Sequence, residues 1–196
     1  MINWLESIDR NLLLFINGLH QPWLDEVMWF FSGKLTLIPF YLLLLFIVKK
    51  GNSWKNFGLI CIGVFLTVLL SDQISVNLFK EVFQRYRPSH NLEIEKQLHF
   101  YQTKPGDFYR GGLYGFISSH AANYFGMLAF VLPLLGTNTR IIKLSAIVIG
   151  CIVGVSRIYL GVHYPSDVFL GAGIGLVIGW LLYHYFYLRI KINEQG

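Results

Sequence analysis

Ser156-Arg157-Ile158-Tyr159-Leu160-Gly161-Val162-His163-Tyr164-Pro165-Ser166-Asp167 puts a cation, an imidazole and a carboxylate at the mouth of an apolar helix that runs on from Val168. A charged side chain at a bilayer centre costs roughly 2.5 to 3.5 kcal/mol on insertion scales, so ionisable groups gathered beside a spanning segment need a function. Phosphate chemistry supplies one. Arginine grips phosphate oxygens with parallel N–H donors, and an imidazole attacks phosphorus once a carboxylate fixes its tautomer. Pro165 suits the first turn of the following helix, which leaves His163 just ahead of it and Asp167 inside that turn, within reach of one ring nitrogen. An aspartate that caps its own helix is the plainer role, and the two are compatible.

Around this stretch the chain is apolar. Of its 196 residues 54% are hydrophobic, 16% aromatic and 14% charged, a balance far from that of a soluble domain. Continuous apolar runs near 27–48, 57–79, 120–136, 141–157 and 168–188 read as spanning helices, the shortest of them needing a thin, kinked or locally polar setting. Lipid-facing strands would instead alternate apolar and polar residues. In residues 1–22, Trp4, Leu5, Ile8, Leu12, Phe15 and Ile16 recur at helical spacing between Glu6, Asp9 and Arg10, the pattern of an interfacial amphipathic helix. Acidic residues stand where a cleaved signal would carry basic ones. The expectation is an all-α, polytopic membrane helical bundle of five to six helices, with residues 1–196 forming a single domain.

The net charge of +5 does not gather on a soluble face, so no nucleic-acid partner is expected. Lys49, Lys50, Lys55, Arg140, Lys143, Arg189 and Lys191 flank span ends on one side, which the positive-inside rule makes cytoplasmic. Lys80, Arg85, Arg87, Arg110 and Arg157 fall on the other side, and anion binding would explain them. Cys61 and Cys151 lie inside predicted spans and read as packing residues. The one long polar stretch, 80–117, is rich in glycine and aromatics and reads as an outer loop facing substrate, with a short helix near 92–99.

Two further clusters emerge on the side of His163. Lys80 and Arg87-Pro88 stand at the exit of the second long helix, where they either bind an anion or snorkel to headgroups. Ile117-Ser118-Ser119-His120 precedes the apolar run from Ala121; serine is a good N-cap, and the free N–H groups of a helix start seat a phosphate. Asp72, two turns before Lys80, is expected to face the protein interior in a structural role. His90 and His99 are expected to be solvated, and their spacing supports no metal site. Arg85, Tyr86 and Arg110 are candidates for headgroup contact or for a solvated basic edge.

Taken together, Lys80-x6-Arg87-Pro88, Ser118-x-His120 and Ser156-Arg157-x5-His163-x3-Asp167 resemble, in order and spacing, the three-part signature of the type 2 phosphatidic acid phosphatase family. The likeness covers nearly all of the chain after its N-terminal helix. Where the family usually has Pro-Ser-Gly-His, this chain has Ile117-Ser118-Ser119-His120, keeping the hydroxyl and imidazole while losing a proline and a glycine. The resemblance implies catalysis by His163, His120 and Asp167. His163 would attack phosphorus to give a phosphohistidine, Asp167 orient it, and His120 protonate the departing oxygen, general acid catalysis being worth about 100- to 10,000-fold. Lys80, Arg87, Ser118, Ser119 and Arg157 would bind the phosphoryl group, with no metal and no cofactor. The implied protein is an integral membrane lipid phosphatase of the inner membrane, its active site on the periplasmic face. Polyprenyl diphosphate is the first expectation for substrate. Lipid A comes next, with phosphatidylglycerol phosphate and phosphatidic acid as further alternatives. The related vanadate-dependent haloperoxidases are soluble, which this hydropathy opposes. A non-catalytic lipid-binding or transport protein is opposed by the intact His120, His163 and Asp167.

Overall fold

A computed structural model of the chain describes residues 2–33 and 35–193. The apolar runs fold as helices: α1 (Ile2–Asn17), α2 (Pro22–Ser32), α3 (Ile38–Lys50), α4 (Trp54–Phe83), α5 (Ser119–Val131), α6 (Arg140–Tyr159) and α7 (Pro165–Lys191). Among the described residues, Trp54–Phe83, Thr137–Tyr159 and Pro165–Lys191 are long and apolar enough to cross a membrane. The architecture is an all-α helical bundle. Lys55 opens α4 and Lys80 nearly closes it, so the basic segment ends and the candidate site lie at opposite ends of that helix.

Two expected spans are built differently. The run 27–48 is broken into α2 and α3, because Gly33 caps α2 through its N–H to the Phe30 carbonyl (3.2 Å) and the Thr36 hydroxyl donates to the carbonyls of Phe30 and Gly33. Pro39 then suits the first turn of α3. The run 120–136 is the 13-residue α5, ended by a 3-10 turn that contains Pro133. Helix α5 need not span, because it lies inside the protein. Ala121, Ala122, Tyr124, Leu128, Phe130 and Val131 are all buried, and α4, α6 and α7 surround them.

Backbone contact fixes that central position. Gly171, Gly175 and Gly179 form one stripe on α7, facing Ser118, Ala122 and Gly126 at the same four-residue interval on α5. A Cβ on Gly175 would stand 2.1 Å from the Ala122 carbonyl oxygen, and one on Gly179 2.0 Å from that of Gly126. Small residues at helical spacing let two backbones approach where lipid offers no hydrophobic drive.

Helix α1 turns part of its polar side into the bundle. Asp9, Leu13 and Asn17 are buried against the bundle, while Trp4, Leu5, Ile8, Leu12 and Phe15 are exposed. Its polar side finds protein partners, and its apolar side is left for lipid. The outer loop begins later than expected, since residues 80–83 belong to α4. Its 92–99 segment holds only a 3-10 turn, Glu95–Gln97, ahead of a hairpin of β1 (Gln102–Lys104) and β2 (Asp107–Phe108). Tyr101 stacks on Trp29 of α2 with ring centroids 4.5 Å apart.

Glycine substitutions on α7 test the crossing. Gly175→Ala is expected to destabilise by about 3 kcal/mol, the upper range for overpacking, read as a lower Tm and loss of monodisperse protein in detergent. Gly173→Ala, whose Cβ would meet nothing within 4 Å, should hold or raise the Tm.

Candidate active site

The turn between α6 and α7 carries the imidazole. Gly161 takes φ +68°, and His163 follows it almost fully buried. Asp167 accepts the Tyr164 backbone N–H at 2.9 Å through Oδ2, and the same oxygen lies 3.4 Å from His163 Nδ1. The carboxylate therefore both caps α7 and faces the ring. Arg87, from the outer loop, points Nη1 at His163 Nε2 (2.9 Å) and at the Val162 carbonyl (3.0 Å), while its Nε donates to the Tyr114 carbonyl (3.1 Å). A guanidinium has no lone pair to offer, so Nε2 accepts and the ring proton resides on Nδ1, toward Asp167. That tautomer leaves the Nε2 lone pair without a proton, able to act toward an electrophile.

Charge reinforces the choice. Burial first, then the cations Arg87, Arg157 and Lys80, hold the His163 imidazole well below the ordinary histidine range. Arg87 itself is pushed down to about 10, by burial and then by Arg157. This concentration of positive charge suits a dianionic group.

The N-terminus of α5 supplies the facing wall. Ser118 is fully buried; its Oγ accepts the Ala121 N–H as the helix cap, and its N–H donates to the Asp167 carbonyl at 2.9 Å. Ser119 instead turns toward Lys80, whose Nζ donates to its Oγ at 2.6 Å. Arg157 donates through Nη1 to Ser32 and through Nη2 to the Tyr109 hydroxyl (2.9 Å), and its buried Nε has no hydrogen-bond partner among the described residues. Lys80, Arg87, Ser119, His120, Arg157 and His163 share the lining of one cavity of about 860 Å3. Its remaining walls are largely apolar, including Leu37, Leu44, Phe65, Val68 and Val131.

Behind the site runs a network that spacing alone does not show. Arg85 does not face outward; it bridges Asp167 Oδ1 (2.9 Å) and Asp9 Oδ2 (2.7 Å) and lies 4.0 Å over the Tyr164 ring. Asp9, from α1, also accepts the Ser166 N–H (2.8 Å) and hydroxyl (2.5 Å). The Arg85 guanidinium, itself held by the Asp9 carboxylate, thus fixes the Asp167 oxygen that does not face His163. Arg110 pairs with Glu95 (3.1 Å) in the loop. His99 is not free in solvent: it contacts Asp25 at 2.9 Å and stacks on His20, tying the loop to α2. His90 contacts the Ser89 hydroxyl at 3.1 Å. Tyr109, Ser32 and Asp9 carry no motif signal, because they support Arg157 and Arg85 from remote segments.

A helical membrane bundle with a buried, carboxylate-oriented histidine under three cations defines a phosphoryl-transfer protein. The PAP2 superfamily model matches residues 58–191, and the chain belongs to that family. It is 36% identical to the lipid A 4'-phosphatase of Bacteroides thetaiotaomicron over 93% of this chain and 79% of that protein. Its fold resembles the crystal structure of Aquifex aeolicus LpxE with a TM-score of 0.60 at 26% identity, over 88% of this chain and 92% of that one. It also resembles a transmembrane PAP2-type phosphatidylglycerolphosphate phosphatase from Bacillus subtilis, with a TM-score of 0.59 at 26% identity over 98% and 88% of the two chains. The protein is an integral membrane lipid phosphatase, and so an enzyme and a hydrolase.

Two measurements probe the site. Ring-labelled histidine NMR of the solubilised protein is expected to find His163 still neutral at about pH 6, since a depressed pKa postpones proton uptake below the ordinary value of about 6.5. A midpoint at or above that value would contradict the cation-crowded site. Asp9→Ala, which removes one of Arg85's two carboxylate partners and leaves the Ser166 N–H unpaired, is expected to cost about 2 kcal/mol, read as a lower Tm.

Proposed function

We propose that this phosphatase removes a phosphate monoester from a lipid A-type lipid at the periplasmic face of the inner membrane. The observation that supports it best is the cavity itself, which carries Lys80, Arg87, Ser119, His120, Arg157 and His163 along with walls that match acyl chains. The relatives favour lipid A, with phosphatidylglycerol phosphate as the second reading, over the polyprenyl diphosphate expected from resemblance. The periplasmic assignment follows from the basic residues at the far ends of the helices.

In the proposed reaction, Arg87 swings from Nε2 to a phosphoryl oxygen as substrate enters. Nε2 attacks phosphorus, the bond from phosphorus to the lipid oxygen breaks, and His120 donates its proton to that oxygen. The Nδ1 proton stays on the ring beside Asp167. Water then attacks the phosphohistidine, returning a proton to His120 and releasing inorganic phosphate. Lys80, Arg87, Arg157 and the N–H groups at the start of α5 hold the charge that grows on the phosphoryl oxygens. The Ser118 hydroxyl serves the helix cap in this scheme, and its backbone ties α5 to Asp167.

A panel of lipid A, phosphatidylglycerol phosphate and undecaprenyl diphosphate, assayed for phosphate release, tests the assignment. The expected order of kcat/KM is lipid A first and the diphosphate last. His163→Ala should lower turnover by about 1,000-fold or more, and full activity in that variant would remove it as nucleophile. Excess chelator should leave the rate unchanged, whereas its loss would place a metal in the reaction.

A further inference from the structure

An amide and a carboxylate line the cavity without belonging to the phosphoryl-binding group. Asn123 stands one turn beyond Ser119 on α5, and Asp72 two turns before Lys80 on α4. The helices run antiparallel, with Lys80 beside Ser119 and Ser71 packed at Gly126, so both residues lie on the inner side of the phosphate site. At about 1.5 Å per residue, Asn123 is about 6 Å and Asp72 about 12 Å further along. The Asn123 Oδ1 is buried and has no hydrogen-bond partner among the described residues. Buried carbonyl groups are rarely left unpaired, and a carboxylate in an apolar channel is costly. Both are acceptors, and both border the path between the cationic group and the apolar walls.

We infer that Asn123 and Asp72 are specificity-determining residues that select lipid phosphates bearing a hydroxyl or amide N–H close to the phosphate. The inference rests on the phosphatase function proposed above and narrows its substrate class. A lipid with such a donor pairs with the Asn123 Oδ1, and a second donor deeper along the chain meets Asp72. A plain prenyl or diester chain strips water from both acceptors and returns nothing. A site built around hydrogen bonds discriminates against the analogue that lacks them more sharply than an apolar wall discriminates by size.

Ceramide 1-phosphate and phosphatidic acid form a suitable pair of probes. Both are two-chain phosphate monoesters, and only the first offers an amide N–H and a hydroxyl beside the headgroup. With the full chain in mixed micelles, wild type is expected to favour ceramide 1-phosphate by about 10- to 100-fold in kcat/KM. Asn123→Leu should bring that ratio to within about threefold while phosphatidic acid turnover stays within about twofold of wild type. Asp72→Asn should lower the ratio part of the way. Asn123→Ala serves if the leucine variant is not monodisperse. Equal wild-type rates on the two lipids, or parallel losses on both in the variants, would overturn this inference alone. Release of phosphate from neither probe nor lipid A would overturn the proposed function and the inference with it.

Discussion

Close backbone contact between α5 and α7 is the constraint on which the site depends. The glycine stripe at Gly171, Gly175 and Gly179 lets the two helices touch main chain to main chain. At the same crossing the Ser118 N–H meets the Asp167 carbonyl. One helix thereby presents Ser119 and His120, the other holds Asp167 behind His163, and their separation is set by backbone atoms that have no rotamers to adjust. Any side chain added between them would widen the site by the thickness of a methyl group, enough to spoil a reaction that needs near-contact geometry.

Electrostatics does the remaining work. Arg87, Arg157 and Lys80 all bear on one imidazole, and their mutual repulsion is tolerable only because rigid partners hold them. Tyr114 and Val162 carbonyls fix Arg87, Ser32 and Tyr109 fix Arg157, and Ser119 fixes Lys80. In the proposed reaction a phosphoryl group gains from Lys80 and Arg157 donors already in place, with Arg87 turning only from the neighbouring Nε2, a preorganisation that lowers a charged transition state. Asp167 is restrained on both oxygens, by Tyr164 on one side and Arg85 on the other, so it orients His163 without turning toward the cavity.

Much of this was legible in the sequence because the responsible residues sit close together along it. The long apolar helices follow from continuous hydropathy, and His163 with Asp167 follows from one turn of helix after a proline. The break between α2 and α3 was hidden inside an apolar run, where Gly33 and the Thr36 hydroxyl outweigh hydropathy. Arg85 was legible as a cation but not as Asp167's partner, since its direction depends on Asp9, 76 residues away. The close crossing of α5 and α7 carried no signal in either helix alone, since Gly171, Gly175 and Gly179 have meaning only beside Ser118, Ala122 and Gly126. Asp9 and Asn17 of α1 likewise take their roles from partners far along the chain.

The inward-facing polar residues of that first helix bear on how the molecule is assembled. Asp9 bonds to Ser166 across 157 positions of chain, and Asn17 to Tyr159 across 142. Translation delivers α1 long before those partners exist, so Asp9 and Asn17 must wait at the lipid boundary until the hairpin of α6 and α7 arrives. Long-range closure of this kind is slow. The candidate site is therefore completed only after the turn between α6 and α7 has been made and has met α1.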